Sequence, residues 1–134
     1  FEFNLNINNI LTALTCRKYG WDVKSAIVGD NVVATTIRNS ASARDFNLKA
    51  EIDYFDALVS ISETANLLDR EHRIDALKWN WLEENTFFSS FSIEKVLSFW
   101  LRCELMHRWD NLSMEEGAEI FRQMINDLKK DVKF

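Results

Sequence analysis

The chain of 134 residues contains no proline and only three glycines, Gly20, Gly29 and Gly117. Tight hairpin turns draw on glycine for positive φ angles, and three glycines cannot serve a loop-rich β-sandwich. The same scarcity excludes a collagenous chain and a Pro/Gly-rich disordered linker. Cysteine is nearly absent: Cys16 and Cys103 lie far apart, each among apolar neighbours. That usage fits two buried free thiols in a reducing cytoplasm. No CxxC or Cys/His cluster offers a structural zinc site. Cations are in deficit, with 16 Lys+Arg against 21 Asp+Glu and a net charge of −5, the wrong balance for a dedicated nucleic-acid binder. No run approaches the about 18 consecutive apolar residues that a membrane span requires.

What is present is apolar and aromatic. The composition is 47% hydrophobic, with ten Phe, five Trp and two Tyr, ample for a packed core. Chain length favours one domain over two marginal ones. The expectation is an all-α domain over residues 1–134, a bundle of five to six helices. The chain opens on Phe1 inside a helical pattern, so it is read as a piece of a longer protein.

Periodicity places the elements. Phe3, Ile7, Ile10/Leu11 and Leu14 recur at helical spacing, Arg17 and Lys18 occupy the last turn, and Gly20 stops the helix. Residues 21–28 read as a connector or a single helical turn. Asp30 is the expected cap of a short helix through Ile37. Residues 39–47 (NSASARDFN) are the clearest loop. A third helix is expected over 49–65, with Ile52, Phe55, Leu58/Val59 and Ile61 inward, and a fourth over 67–84, after a soft break at 64–66. Residues 87–92 form a connection that still buries rings. Ser92 then caps a fifth helix through Trp109, with Glu94 in its first turn. This helix is apolar around most of its circumference, which places it in the centre of a bundle or under a partner. After a turn at 110–112, Ser113 and Glu116 form a capping box. The last helix carries Met114, Ala118, Phe121, Met124/Ile125 and Leu128 on one stripe and charge opposite.

Catalytic and metal chemistry find little support. Glu104 and His107 make one Glu-x-x-His, whereas carboxylate-bridged metal bundles use two copies. His107 reads better as a helix-end cation favoured by the dipole. There is no GxSxG, glycine-rich phosphate loop or HExxH, and the adjacent acids Glu83-Glu84 and Glu115-Glu116 diverge on a helix. No catalytic, cofactor-binding or metal residue is therefore assigned. Arg17-Lys18 beside Tyr19 and Trp21, and Arg70 and Arg73 ahead of Trp79 and Trp81, mix cations with rings. At net −5 these are expected to be long stems snorkelling over buried rings and not a nucleic-acid surface. Glu71 falls near an apolar stripe and needs a cation there, with Arg17 or Arg108 as candidates. The excess of Trp and Phe makes an interaction protein the leading class.

Several stretches together resemble one family: residues 9–14 (NILTAL) leading into 17–20 (RKYG), 27–31 (IVGDN), 43–46 (ARDF), 68–71 (LDRE), 74–79 (IDALKW), Phe87-Phe88, 91–94 (FSIE), Arg108-Trp109 and Gly117. They are similar to an uncharacterised bacterial family encoded in operons for V-type (V/A-type) ATP synthases, whose members are about twice this length, so that the resemblance implies residues 1–134 are the C-terminal part of a longer chain. There the family takes the place of the C-type subunit, the all-helical socket between rotor ring and central shaft. Asn9, Arg17 and Gly20 are similar to the asparagine, arginine and turn glycine of that socket's repeats. The resemblance implies a non-catalytic coupling subunit without cofactor, cytoplasmic and peripheral to the membrane. It implies partners among the central stalk, the rotor ring and the protein's own N-terminal half. Contact surfaces are expected at Arg17, Lys18, Arg44, Arg70, Arg73 and Trp79. The alternative is a helical adaptor or assembly factor without a permanent place in the complex.

Overall fold

The computed structural model describes residues 1–89, 92–112 and 114–131. These residues are all-helical and contain no strand. Seven helices follow in order: α1 Glu2–Tyr19, α2 Val23–Ala26, α3 Val32–Asn39, α4 Phe55–Ser62, α5 Leu67–Thr86, α6 Ile93–Asp110 and α7 Met114–Asp131. The single-turn α2 brings the number above the five or six expected. The chain divides into two compact units, Phe1–Lys78 and Trp79–Phe134, with the boundary inside α5.

In the first unit α1 is the hub, packing against α2, α3 and α4. Its inward stripe of Ile7, Ile10, Ala13 and Cys16 meets Ala34 and Ile37 of α3, Phe55, Leu58 and Ile61 of α4, and Ile74 of α5. Phe46, Leu48 and Ile52, from the segment before α4, complete this core. Burying each large side chain of this kind contributes about 1.5–3 kcal/mol. Gly20 ends α1 in the left-handed conformation at φ 71. The Trp21 amide reaches back to the Cys16 carbonyl at 2.8 Å, a Schellman closure that glycine permits without steric cost. Gly29, at φ 85, is tighter still, because an added Cβ would come within 3.1 Å of Leu5 Cδ2.

Three helices differ in their boundaries from the sequence expectation. Asn31, not Asp30, caps α3: its side-chain oxygen accepts from the Ala34 amide at 2.9 Å, while Asp30 pairs with Arg38 at 3.1 Å. The third expected helix begins at Phe55 instead of residue 49. Positive φ at Phe46 and Asn47 turns the chain first, and successive short turns carry it to Ile52. The fourth begins at Leu67 as expected and runs on to Thr86. Asn66 caps its first turn by accepting from the Leu68 amide at 2.9 Å.

In the second unit the end of α5 meets α6 through small polar side chains. Ser98, 1% exposed, donates to the Leu82 carbonyl at 3.3 Å and lies 3.2 Å from the Thr86 hydroxyl. Lys95 Nζ donates to the Thr86 carbonyl at 3.0 Å. Ser92 caps α6 as expected, accepting from the Lys95 amide at 3.2 Å. The Ser113 half of the proposed capping box, and Ser90 and Phe91 of the preceding connection, lie outside the described residues.

Candidate functional site

The Asn9, Arg17 and Gly20 pattern serves the fold of the first unit. Asn9 sits on the inward face of α1, 3% exposed. Its amide donates to the Val28 carbonyl at 2.8 Å and its oxygen accepts from the Val28 amide at 3.1 Å. This closed pair satisfies a buried polar side chain and fixes the Val28-Gly29 corner to α1. Two turns later the Arg17 guanidinium donates to the carbonyls of Ala41, Ala43 and Arg44. It also lies 3.8 Å from the centre of the buried Phe46 ring. One planar fork thus gathers the loop ahead of α4, which a point-charge lysine cannot do. Burial lowers the Arg17 pKa, and Asp45 opposes that shift. Arg38 repeats the device, donating to the Ile27 carbonyl at 2.9 Å.

The other residues expected as contact points are distributed along the surface. Lys18 is exposed and lies 5.9 Å from the Tyr19 ring. Tyr19 in turn stacks on Trp21 at 5.3 Å, with both rings largely in water. Arg44 is exposed, and Arg17 engages its carbonyl. Arg70 is half-buried. Arg73 bonds within its own unit, to the Thr64 hydroxyl at 2.7 Å and the Ser60 hydroxyl at 2.8 Å. Trp79 is half-buried, with the Arg102 guanidinium 5.1 Å from its ring. Arg17 and Arg44 meet; Lys18 adjoins them in sequence only; Arg70 and Arg73 share α5. The buried carboxylate on α5 is Asp75, 5% exposed, and not Glu71; Lys78 faces Asp75 at 3.9 Å. Arg17, one of the expected partners of Glu71, is committed to the 41–46 loop.

The surface most unlike an ordinary solvated one belongs to the second unit. On α6, Ile93, Val96, Leu97, Phe99, Trp100 and Met106 are exposed, and Ser98 is the helix's buried residue. The central position allowed for this helix is not realised; Ser98 is its most buried side chain, a small hydroxyl fitting the close approach to Leu82 and Thr86, while Leu101, Cys103 and Leu105 are half-buried. On α7, Met114, Ile120, Phe121 and Met124 are exposed as well. Phe87 and Phe88 meet edge to face at 5.0 Å. With Asn80, Glu83 and Glu84 they line an open groove of about 460 Å³. Helical periodicity marks these positions as apolar but is silent on whether anything covers them.

Glu104 and His107 are both exposed, and His107 Nε2 lies 2.9 Å from the Asn111 amide nitrogen. Among the described residues no three His, Cys, Asp or Glu side chains converge as metal ligands. No helix among them is long and apolar enough to cross a membrane.

These features define an all-helical protein with one cored unit and one apolar-surfaced unit. The chain belongs to DUF2764, a family described as proteins of unknown function, whose family model matches residues 1–132. No curated protein and no solved structure matches it.

Proposed function

We propose that this protein is a non-catalytic coupling subunit of a V-type ATP synthase, similar to the C-type socket that links central shaft and rotor ring. The observation that carries the reading is the exposed apolar surface of α6 and α7, far larger in side-chain content than a solvated helix pair retains without a partner. The sequence resemblance supplies the identity of the complex. The Asn9, Arg17 and Gly20 arrangement supports it in a second way: it is a means of building a rigid helical unit, the task such a pattern has in a socket. On this reading ATP chemistry belongs to other subunits, and proton or sodium movement to the membrane ring.

The test is purification of the intact tagged protein from its own cells in mild detergent. The coupling-subunit reading expects nucleotide-binding, stalk and ring subunits in stoichiometric amount. Presence in assembly intermediates but absence from the mature complex would replace it with the adaptor or assembly-factor reading. Absence from both would overturn the association altogether.

A further inference from the structure

We propose that the groove at the end of α5 is a docking site for an arginine-bearing helix of a partner protein. The inference is independent of the coupling-subunit reading, which rests on α6 and α7. The groove is lined by Asn80, Glu83, Glu84, Phe87 and Phe88. These positions keep the i, i+3, i+4, i+7, i+8 spacing of a helix ridge, the rings continuing it in the turn that follows α5. The complement of such a ridge is a second helix. All five side chains are exposed, Phe87 at 67% and Phe88 at 93%. The two glutamates, expected from their adjacency to diverge, both line the groove.

Charge and ring chemistry name the occupant. Helices α1, α3 and α6 carry cations in their last turns: Arg17 and Lys18, Arg38, and His107 and Arg108. The last turn of α5 holds Glu83 and Glu84 and no base. Carboxylates beside the free carbonyls of a helix end raise its free energy. Lys95 brings one cation, to the Thr86 carbonyl at 3.0 Å. Among the described residues neither glutamate has an ion-pair partner, and no cation lies over Phe87 or Phe88. Elsewhere the protein covers rings with its own arginines, Arg17 over Phe46 at 3.8 Å and Arg102 over Trp79 at 5.1 Å. A guanidinium pairs with carboxylates and stacks on rings at once, which an ammonium does less well. A groove lined by two carboxylates and two rings is therefore matched by an arginine from another polypeptide, with aliphatic neighbours over the remaining ring surface.

Amide NMR of the protein titrated with a synthetic peptide tests this. The probe is an alanine-based helix of about 16 residues with arginine and leucine four positions apart on one face. It is expected to shift the amides of residues 80–88. Glutamine in place of the peptide's arginine weakens binding about tenfold, and lysine recovers only part of the loss. In a protein carrying Glu83→Gln and Glu84→Gln the arginine and glutamine peptides bind alike, a coupling that a folding defect would not produce. Phe88→Ala also weakens binding and leaves the rest of the spectrum unchanged, because that ring is almost wholly in water. The proposal is overturned if the unaltered protein binds both peptides equally or neither. Shifts confined to α6 and α7 would overturn it too. So would groove amides that shift on concentrating the protein alone, which would make a second copy the occupant.

Discussion

In the first unit Ile7, Ile10, Ile37, Phe46, Leu48 and Leu58 are fully removed from water. In the second, the buried side chains among the described residues are Thr86 and Ser98, both polar. Helices α4 and α6 make the contrast concrete. Phe55, Leu58 and Ile61 of α4 enter a core shared with α1, whereas Val96, Phe99 and Trp100 of α6 face solvent. Both helices carry large apolar side chains around much of their circumference, α6 with more charge among them; the neighbours available to each decide which side chains are buried. The first unit gathers four helices and a folded-back loop around one stripe of α1. The second joins α5 to α6 through Ser98, Thr86 and Lys95, and leaves Val96, Phe99 and Trp100 of α6 exposed, as a partner-binding surface would be.

The sharpest way to break this comparison is paired truncation. Leu58→Ala should cost about 2–5 kcal/mol of stability, read from denaturant midpoints, because it empties a site in a packed core. Phe99→Ala should stay within about 0.5 kcal/mol for the isolated protein in dilute solution. Equal costs would erase the distinction between the units.

Next in size is the loop clamp. Arg17→Met should destabilise the first unit by about 2–3 kcal/mol, because three carbonyls lose a charged donor, and Arg17→Lys should recover only part of it. A smaller loss, about 1–2 kcal/mol, is expected for Asn9→Ala, which leaves the two Val28 backbone groups unpaired. Amide exchange should locate the Arg17 effect in residues 40–48 and the Asn9 effect at 27–29.

The smallest effect belongs to the start of α6. The Glu94 carboxylate accepts hydrogen bonds from its own backbone amide and from Ser92, which lower its pKa. A lowered folded-state value means that its contribution is present above the unfolded carboxylate range of about 4.3. It is lost as pH falls through the folded-state value. Exchange of the first-turn amides of α6 should therefore quicken in acid beyond the intrinsic trend, and Glu94→Gln should remove that excess.

Much of this architecture is legible in the sequence because it is local. Gly20 ends α1, Ser92 starts α6, and the Ile52, Phe55, Leu58 and Ile61 positions are buried, since caps and periodicity act within a few residues. The start of α4 is less so: residues 49–54 keep a helical apolar spacing, but positive φ at Phe46 and Asn47 commits the chain to turns before a helix can nucleate. The roles of Asn9 and Arg17 depend on partners 19 and 24–27 positions away, beyond any local pattern. The exposure of α6 is also hidden, because an all-round apolar helix has the same sequence whether it lies in a core or awaits a partner.

The most direct measurement is hydrogen exchange of the protein alone in dilute solution and again within a purified V-type ATP synthase. The account expects α1 and α4 to be protected equally in both states, and α6 and α7 to gain protection in the complex. Full protection of α6 and α7 in the isolated protein, unchanged on assembly, would contradict it.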